Sequence, residues 1–179
     1  MRNTCLLALL LFLVFSCAHA EDLSTTQTKP VQIALFNPAQ IFDESIGIKG
    51  VRLNLLYGRN VFVRGLDMGL VNTCRGGESV GFQWGLLGYV EGDFLGIQWN
   101  LFNLTDGEFS GLQNGIYNDA GHGEGLQFGF VNTTRSMRGL QLSLVNYTET
   151  LHGIQVGLVN VIREKETLPV MVLVNWSFD

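Results

Sequence analysis

From Gly50 to Asn160 the chain repeats one eight-residue pattern of apolar and polar positions. It reads Gly-Ile-Gln-Trp-Asn-Leu-Phe-Asn from Gly96, Gly-Leu-Gln-Phe-Gly-Phe-Val-Asn from Gly125 and Gly-Ile-Gln-Val-Gly-Leu-Val-Asn from Gly153. With the glycine as position 0, eight copies begin at Gly50, Gly65, Gly81, Gly96, Gly111, Gly125, Gly139 and Gly153, spaced 14 to 16 residues apart. Position +1 is always apolar, and +2 is always polar: Arg52, Asp67, then Gln83, Gln98, Gln113, Gln127, Gln141 and Gln155. Position +4 is small or an amide, and +5 is apolar in every copy. Alternation with a period of two is the mark of a β-strand, and no comparable stretch has a helical period. The pattern predicts an all-β protein. One face of each strand carries +1, +3 and +5; the other carries the glutamine, the small residue and the apolar +6.

A one-strand repeat can fold as an antiparallel meander or stack in parallel as a β-solenoid. Acidic-Gly pairs at Glu91-Gly92 and Asp106-Gly107 have the chemistry of two-residue hairpin turns. That register sets Trp84 opposite Trp99 and Leu101 opposite Leu112. Terminal strands at about 30–37 and 169–178 bring the total to about ten. The expected fold is therefore a repetitive antiparallel meander closed into a small barrel, since closure removes exposed edges. The alternative is a parallel β-solenoid, in which identical residues stack as a ladder of glutamines and a second of asparagines (Asn103, Asn118, Asn132, Asn146, Asn160).

Charge falls between the repeated phrases, with only Arg52 and Asp67 inside them, so the intervals read as solvated turns. Residues 1–20 hold Arg2, an apolar run from Leu6 to Phe15 and Ala18-His19-Ala20, the layout of a secretory signal peptide. Residues 21–179 then form a single repetitive domain. Ser16-Cys17 also allows lipid attachment at Cys17, against which the bulk of Phe15 argues. Without the leader only Cys74 remains, so no internal disulfide is available. Loss of Arg2 moves the formal charge from −5 to −6, which argues against a nucleic-acid partner.

Export, an even strand count and the terminal Trp176-Ser177-Phe178 favour an outer-membrane barrel. The apolar stripe argues the other way. Five residues span about 17 Å at strand rise, whereas a spanning strand needs roughly 9 to 11 residues. The stripe could instead face inward and fill a packed interior.

The tandem phrases, with the opening segment Gly50-Val51-Arg52-Leu53-Asn54-Leu55-Leu56-Tyr57-Gly58 and the following Gly65-Leu66-Asp67-Met68-Gly69-Leu70-Val71-Asn72, resemble a family of exported bacterial surface-repeat proteins of unassigned function. The resemblance implies an envelope or surface location, brings no catalytic residues, and covers nearly the whole chain after the leader. The chain departs from the pattern at Leu87-Gly88 and at Asn114. The expected role is a non-catalytic cell-envelope or surface repeat protein, structural or adhesive, at the outer membrane or cell surface, with periplasmic or secreted alternatives. Surface ligands or the outer membrane are the expected partners. The alternative is a small outer-membrane β-barrel acting as a pore or binding module, with Gln83, Gln98, Gln113, Gln127, Gln141 and Gln155 lining its lumen or surface.

Other chemistry is sparse. His122 and His152 lie in intervals and lack companion ligands. Cys74 beside Arg75 has no histidine close in sequence to activate it. Asp93, Asp106 and Asp119 could bind calcium weakly along one rim, though solvated turns explain them more simply. Sequons at Asn103, Asn132, Asn146 and Asn175 follow from the repeat itself. Arg52 and Asp67, in consecutive units, suit a structural ion pair, and no cofactor is expected.

Overall fold

The glycine at position 0 has a backbone conformation that excludes a side chain: φ lies between 120° and 154° at all eight copies. In the computed structural model, which describes residues 26–178, these glycines stack directly on one another. A Cβ on Gly111 would lie on the carbonyl oxygen of Gly96, and one on Gly125 would lie on that of Gly111. Stacking of equivalent residues means that successive repeats run parallel. The chain is a β-solenoid, and neither the antiparallel meander nor the closed barrel forms.

Each repeat is one coil with two arms facing each other. β1 (Thr28–Phe36) and β2 (Ala39–Gln40) open the stack. β3 (Gly47–Asn60), β4 (Val63–Cys74) and β5 (Glu78–Val90) each trace one coil. β6 (Asp93–Leu142) runs without interruption through several coils, β7 (Val145–Ile162) completes the last, and β8 (Val170–Ser177) closes the end. All belong to one sheet, in the order β2-β1-β3-β4-β5-β6-β7-β8. The registers of β1 with β3, β3 with β4, β4 with β5, β5 with β6 and β6 with β7 are parallel. Only the end pairs, β1 with β2 and β7 with β8, are antiparallel.

Trp84 does neighbour Trp99, but as an in-register parallel pair. The acidic-Gly intervals are corners between coils, not hairpins. Glu91 N–H donates to Cys74 O at 2.9 Å and Gly107 N–H to Gly92 O at 3.3 Å, both from one coil to the previous one. Glycine is needed there because corners stack closely: a Cβ on Gly92 would meet Gly77 O. The single 16-residue interval, from Gly65 to Gly81, takes up its extra residue at Gly77, whose φ is 69°.

The interior reverses the usual sorting of residues. Position +2 is buried in every row, from Gln32 through Arg52, Asp67 and the six glutamines to Asn175. Apart from Ala34 at a +4 position, the buried apolar side chains of the described residues gather at one end of the cross-section. There Ile48, Val63, Phe94 and Phe109 from position −2 meet Cys74, Val90 and Ala120 from position +9. Phe94 and Phe109 stack with centroids 6.3 Å apart. Further along, Met137, Leu151 and Ile162 form a second small cluster.

Candidate functional site

Two amide ladders zip the coils together. Gln83 Nε2 donates to Asp67 Oδ2 at 2.9 Å, and each later glutamine donates to the one before: Gln98 to Gln83, Gln113 to Gln98, Gln127 to Gln113, Gln141 to Gln127 and Gln155 to Gln141, at 2.6 to 3.2 Å. The asparagine ladder runs the other way. Asn103 donates to Asn118, Asn118 to Asn132, Asn132 to Asn146 and Asn146 to Asn160, at 2.7 to 3.0 Å. The two columns of side-chain dipoles therefore oppose one another. The donor end of the glutamine column meets the Asp67 carboxylate, as an anion meets the positive end of any aligned dipole row.

The six glutamines expected to line a lumen or surface are thus placed in the interior, each at most 1% exposed. The facing arm packs directly against them. Thr105 Oγ1 donates to Gln98 Oε1 and Thr134 Oγ1 to Gln127 Oε1. The sequon residues Asn103, Asn132, Asn146 and Asn175 are fully buried in the same interior and present no amide to a glycan. Gly88, where the asparagine is missing, is compensated from the next coil. Asn100 Nδ2 reaches Gln83 Oε1 and Asn103 Oδ1, and a Cβ on Gly88 would collide with both Gln83 and Asn100.

Arg52 and Asp67 pair as expected from sequence, but inside the molecule. Arg52 Nε and Nη2 donate to Asp67 Oδ1 and Oδ2, both at 2.7 Å, and Nη1 donates to Thr73 O at 2.9 Å. Burial alone would lower the guanidinium pKa; the charges of and hydrogen bonds to Asp67 and Cys74 together outweigh it and hold the group firmly protonated. Cys74 Sγ lies 3.7 Å from Arg52 Nη2, yet burial pushes its thiol pKa up, so it behaves as a core residue. His122 and His152 are exposed, the latter edge-on to Phe178 at 5.9 Å. Among the described residues no three His, Cys, Asp or Glu side chains converge as ligands. Asp93, Asp106 and Asp119 each accept a hydrogen bond from within the chain: Glu108 N–H, Tyr89 O–H and Thr133 O–H. Burial raises the pKa of Asp119 and that of Tyr89, the latter also through its bond to Asp106. Residues 1–20, expected to be a signal peptide, and Cys17, a candidate for lipid attachment, lie outside the described residues.

With amides inside, the apolar stripe points outward. Positions +1, +3, +5 and +6 form long columns along one edge of the solenoid, and none of these residues is buried. Trp99 is 52% and Phe130 58% exposed. The columns extend into the end strands, since Val31 and Ile33 pair with Val51 and Leu53, and Trp176 and Val174 with Ile154 and Val156. Because +4 is small and turns inward, the +3 and +5 columns stand as ridges beside a trough. The trough has a volume of about 460 Å³ between Trp84, Trp99 and Phe128 on one side and Leu86, Leu101 and Phe130 on the other. Asn114 is the one polar +3 residue, and it lines the trough.

The opposite edge is charged. Arg59 and Arg75 reach Glu44 at 3.9 and 2.9 Å, Arg59 reaches Glu91 at 3.7 Å, Arg64 reaches Glu78 at 3.3 Å and Arg163 reaches Glu149 at 2.9 Å. The cross-section is thus amphipathic around its rim. Period-two alternation separated +1, +3 and +5 from the amide face but set +6 with the glutamines, whereas +6 turns outward beside +5; it also left open which face pointed inward, because a whole column turns together. Compared with family models, curated proteins and solved structures, the chain matches none of them.

Proposed function

We propose that this chain is a non-catalytic cell-envelope or surface repeat protein, exported by its leader, with a structural or adhesive role. The observation that carries this reading is the continuous apolar edge, opposite a charged edge, on a rod whose interior is closed by paired amides. Such a molecule offers the surroundings long faces and offers a small substrate little enclosure. An apolar face of this extent exceeds the roughly 300–600 Å² that a soluble monomer usually leaves bare, which marks an interaction surface. The likeness of the tandem phrases to exported surface-repeat proteins supports the same reading.

Fractionation of cells producing the full chain, followed by protease treatment of intact cells, tests it. Recovery with the envelope or at the surface, with cleavage from outside, is the expected result. Retention of the intact chain in the cytoplasm would overturn it.

A further inference from the structure

We infer that the apolar edge is an interface between two copies of this chain, packed antiparallel about a two-fold axis. The strip is the right size. Ten rows stacked at strand spacing make it about 43 Å long, and six residues of path from +1 to +6 make it about 20 Å around. That is about 850 Å² per copy, close to the roughly 800 Å² each partner contributes to a standard stable interface.

Its chemistry is self-complementary. A two-fold axis sets a patch against itself, so any charge in the strip would approach its own copy. Positions +1, +3, +5 and +6 hold no Asp, Glu, Lys or Arg in any row. The one polar +3 residue also has a place. The +3 column runs Ile33, Leu53, Met68, Trp84, Trp99, Asn114, Phe128, Leu142, Val156, Val174, and its midpoint falls between Trp99 and Asn114. An axis there sets each Asn114 opposite the other copy's Trp99, whose indole N–H can donate to the amide oxygen.

A lipid surface is the less well matched occupant. Interfacial elements carry Lys and Arg on the polar side and hold tryptophan at headgroup level. Here the chain carries a net charge of −5, and Trp84 and Trp99 occupy the central rows.

Light scattering and sedimentation of the purified chain, without detergent, from about 1 to about 100 µM, test the inference. The expected mass is twice that of the chain. Leu101→Glu, an outward substitution that should leave the far-UV circular dichroism unchanged, should weaken dimerisation by roughly a hundredfold. Glu124→Lys, outside the strip, should not. In a second measurement, Asn114→Cys should cross-link between copies through a short bismaleimide, with Glu124→Cys remaining uncoupled. A monomer at every concentration, a dimer indifferent to Leu101→Glu, or a monomer that instead floats with phosphatidylcholine vesicles would each overturn the proposal.

Discussion

Arg52 is a guanidinium without exposed surface, and with Asp67 it interrupts a column otherwise built of amides. Desolvating such a pair is costly, and loss of one partner leaves a bare buried charge. Asp67→Gln should therefore destabilise the chain by about 3–5 kcal/mol in urea denaturation. Arg52→Gln with Asp67→Gln, which continues the glutamine column from Gln32 to Gln155, should recover most of that loss. Asp119 makes a prediction in pH. Burial raises its folded pKa above 3.8, so the folded state holds the proton more tightly than the unfolded chain. Stability from this group is fully present below the unfolded pKa and is lost as pH rises through the raised value. Asp119→Asn should accordingly raise the melting temperature at pH 7, with the gain vanishing near pH 3. The Arg52–Asp67 pair was legible from residue type and spacing. Its burial was not, because a polar interior is a poor prior for any sequence.

At the level of the coil, the glycine at position 0 decides the topology. A side chain there would strike the carbonyl of the preceding coil and would also demand a forbidden φ. Gly111→Ala should abolish cooperative thermal unfolding or cost more than about 4 kcal/mol. Gly76→Ala, where a Cβ meets nothing within 4 Å, should change stability by less than about 0.5 kcal/mol. Circular dichroism melts distinguish the two. The all-β class and the repeat boundaries could be read from the alternation of residue types. The pairing of Trp84 with Trp99 was expected from a hairpin register that does not form, and its companion, Leu101 opposite Leu112, gives way to the stacking of equivalent positions; intervals read as turns lie within β6. The direction of stacking could not be read, because Glu91-Gly92 and Asp106-Gly107 satisfy a hairpin turn and a crowded solenoid corner equally well. The deciding signal was the asparagine and glutamine columns, whose amides bond only when like residues stack.

Over the whole molecule, an open stack of strands has two ends, and each is protected. At the first end Gln32 pairs with the backbone of Phe42, donating to its carbonyl at 2.8 Å and accepting from its N–H at 3.0 Å. At the last, Lys165 Nζ donates to Asn175 Oδ1 at 2.9 Å and Trp176 O at 2.8 Å, a charged side chain blunting an edge strand. Lys165→Ala should promote end-to-end growth, seen as rising light scattering over time while the parent stays clear. The amide-filled interior also has a calorimetric consequence. Unfolding ordinarily raises the heat capacity by roughly 12–15 cal/mol/K per residue, because wetting apolar surface raises it more than wetting polar groups lowers it. Here the greasy surface lies outside and the wetted interior is largely amide. Separation of copies should carry most of the heat-capacity change, and melting of the single chain should carry little, leaving each rod with a flat stability curve from cold to warm.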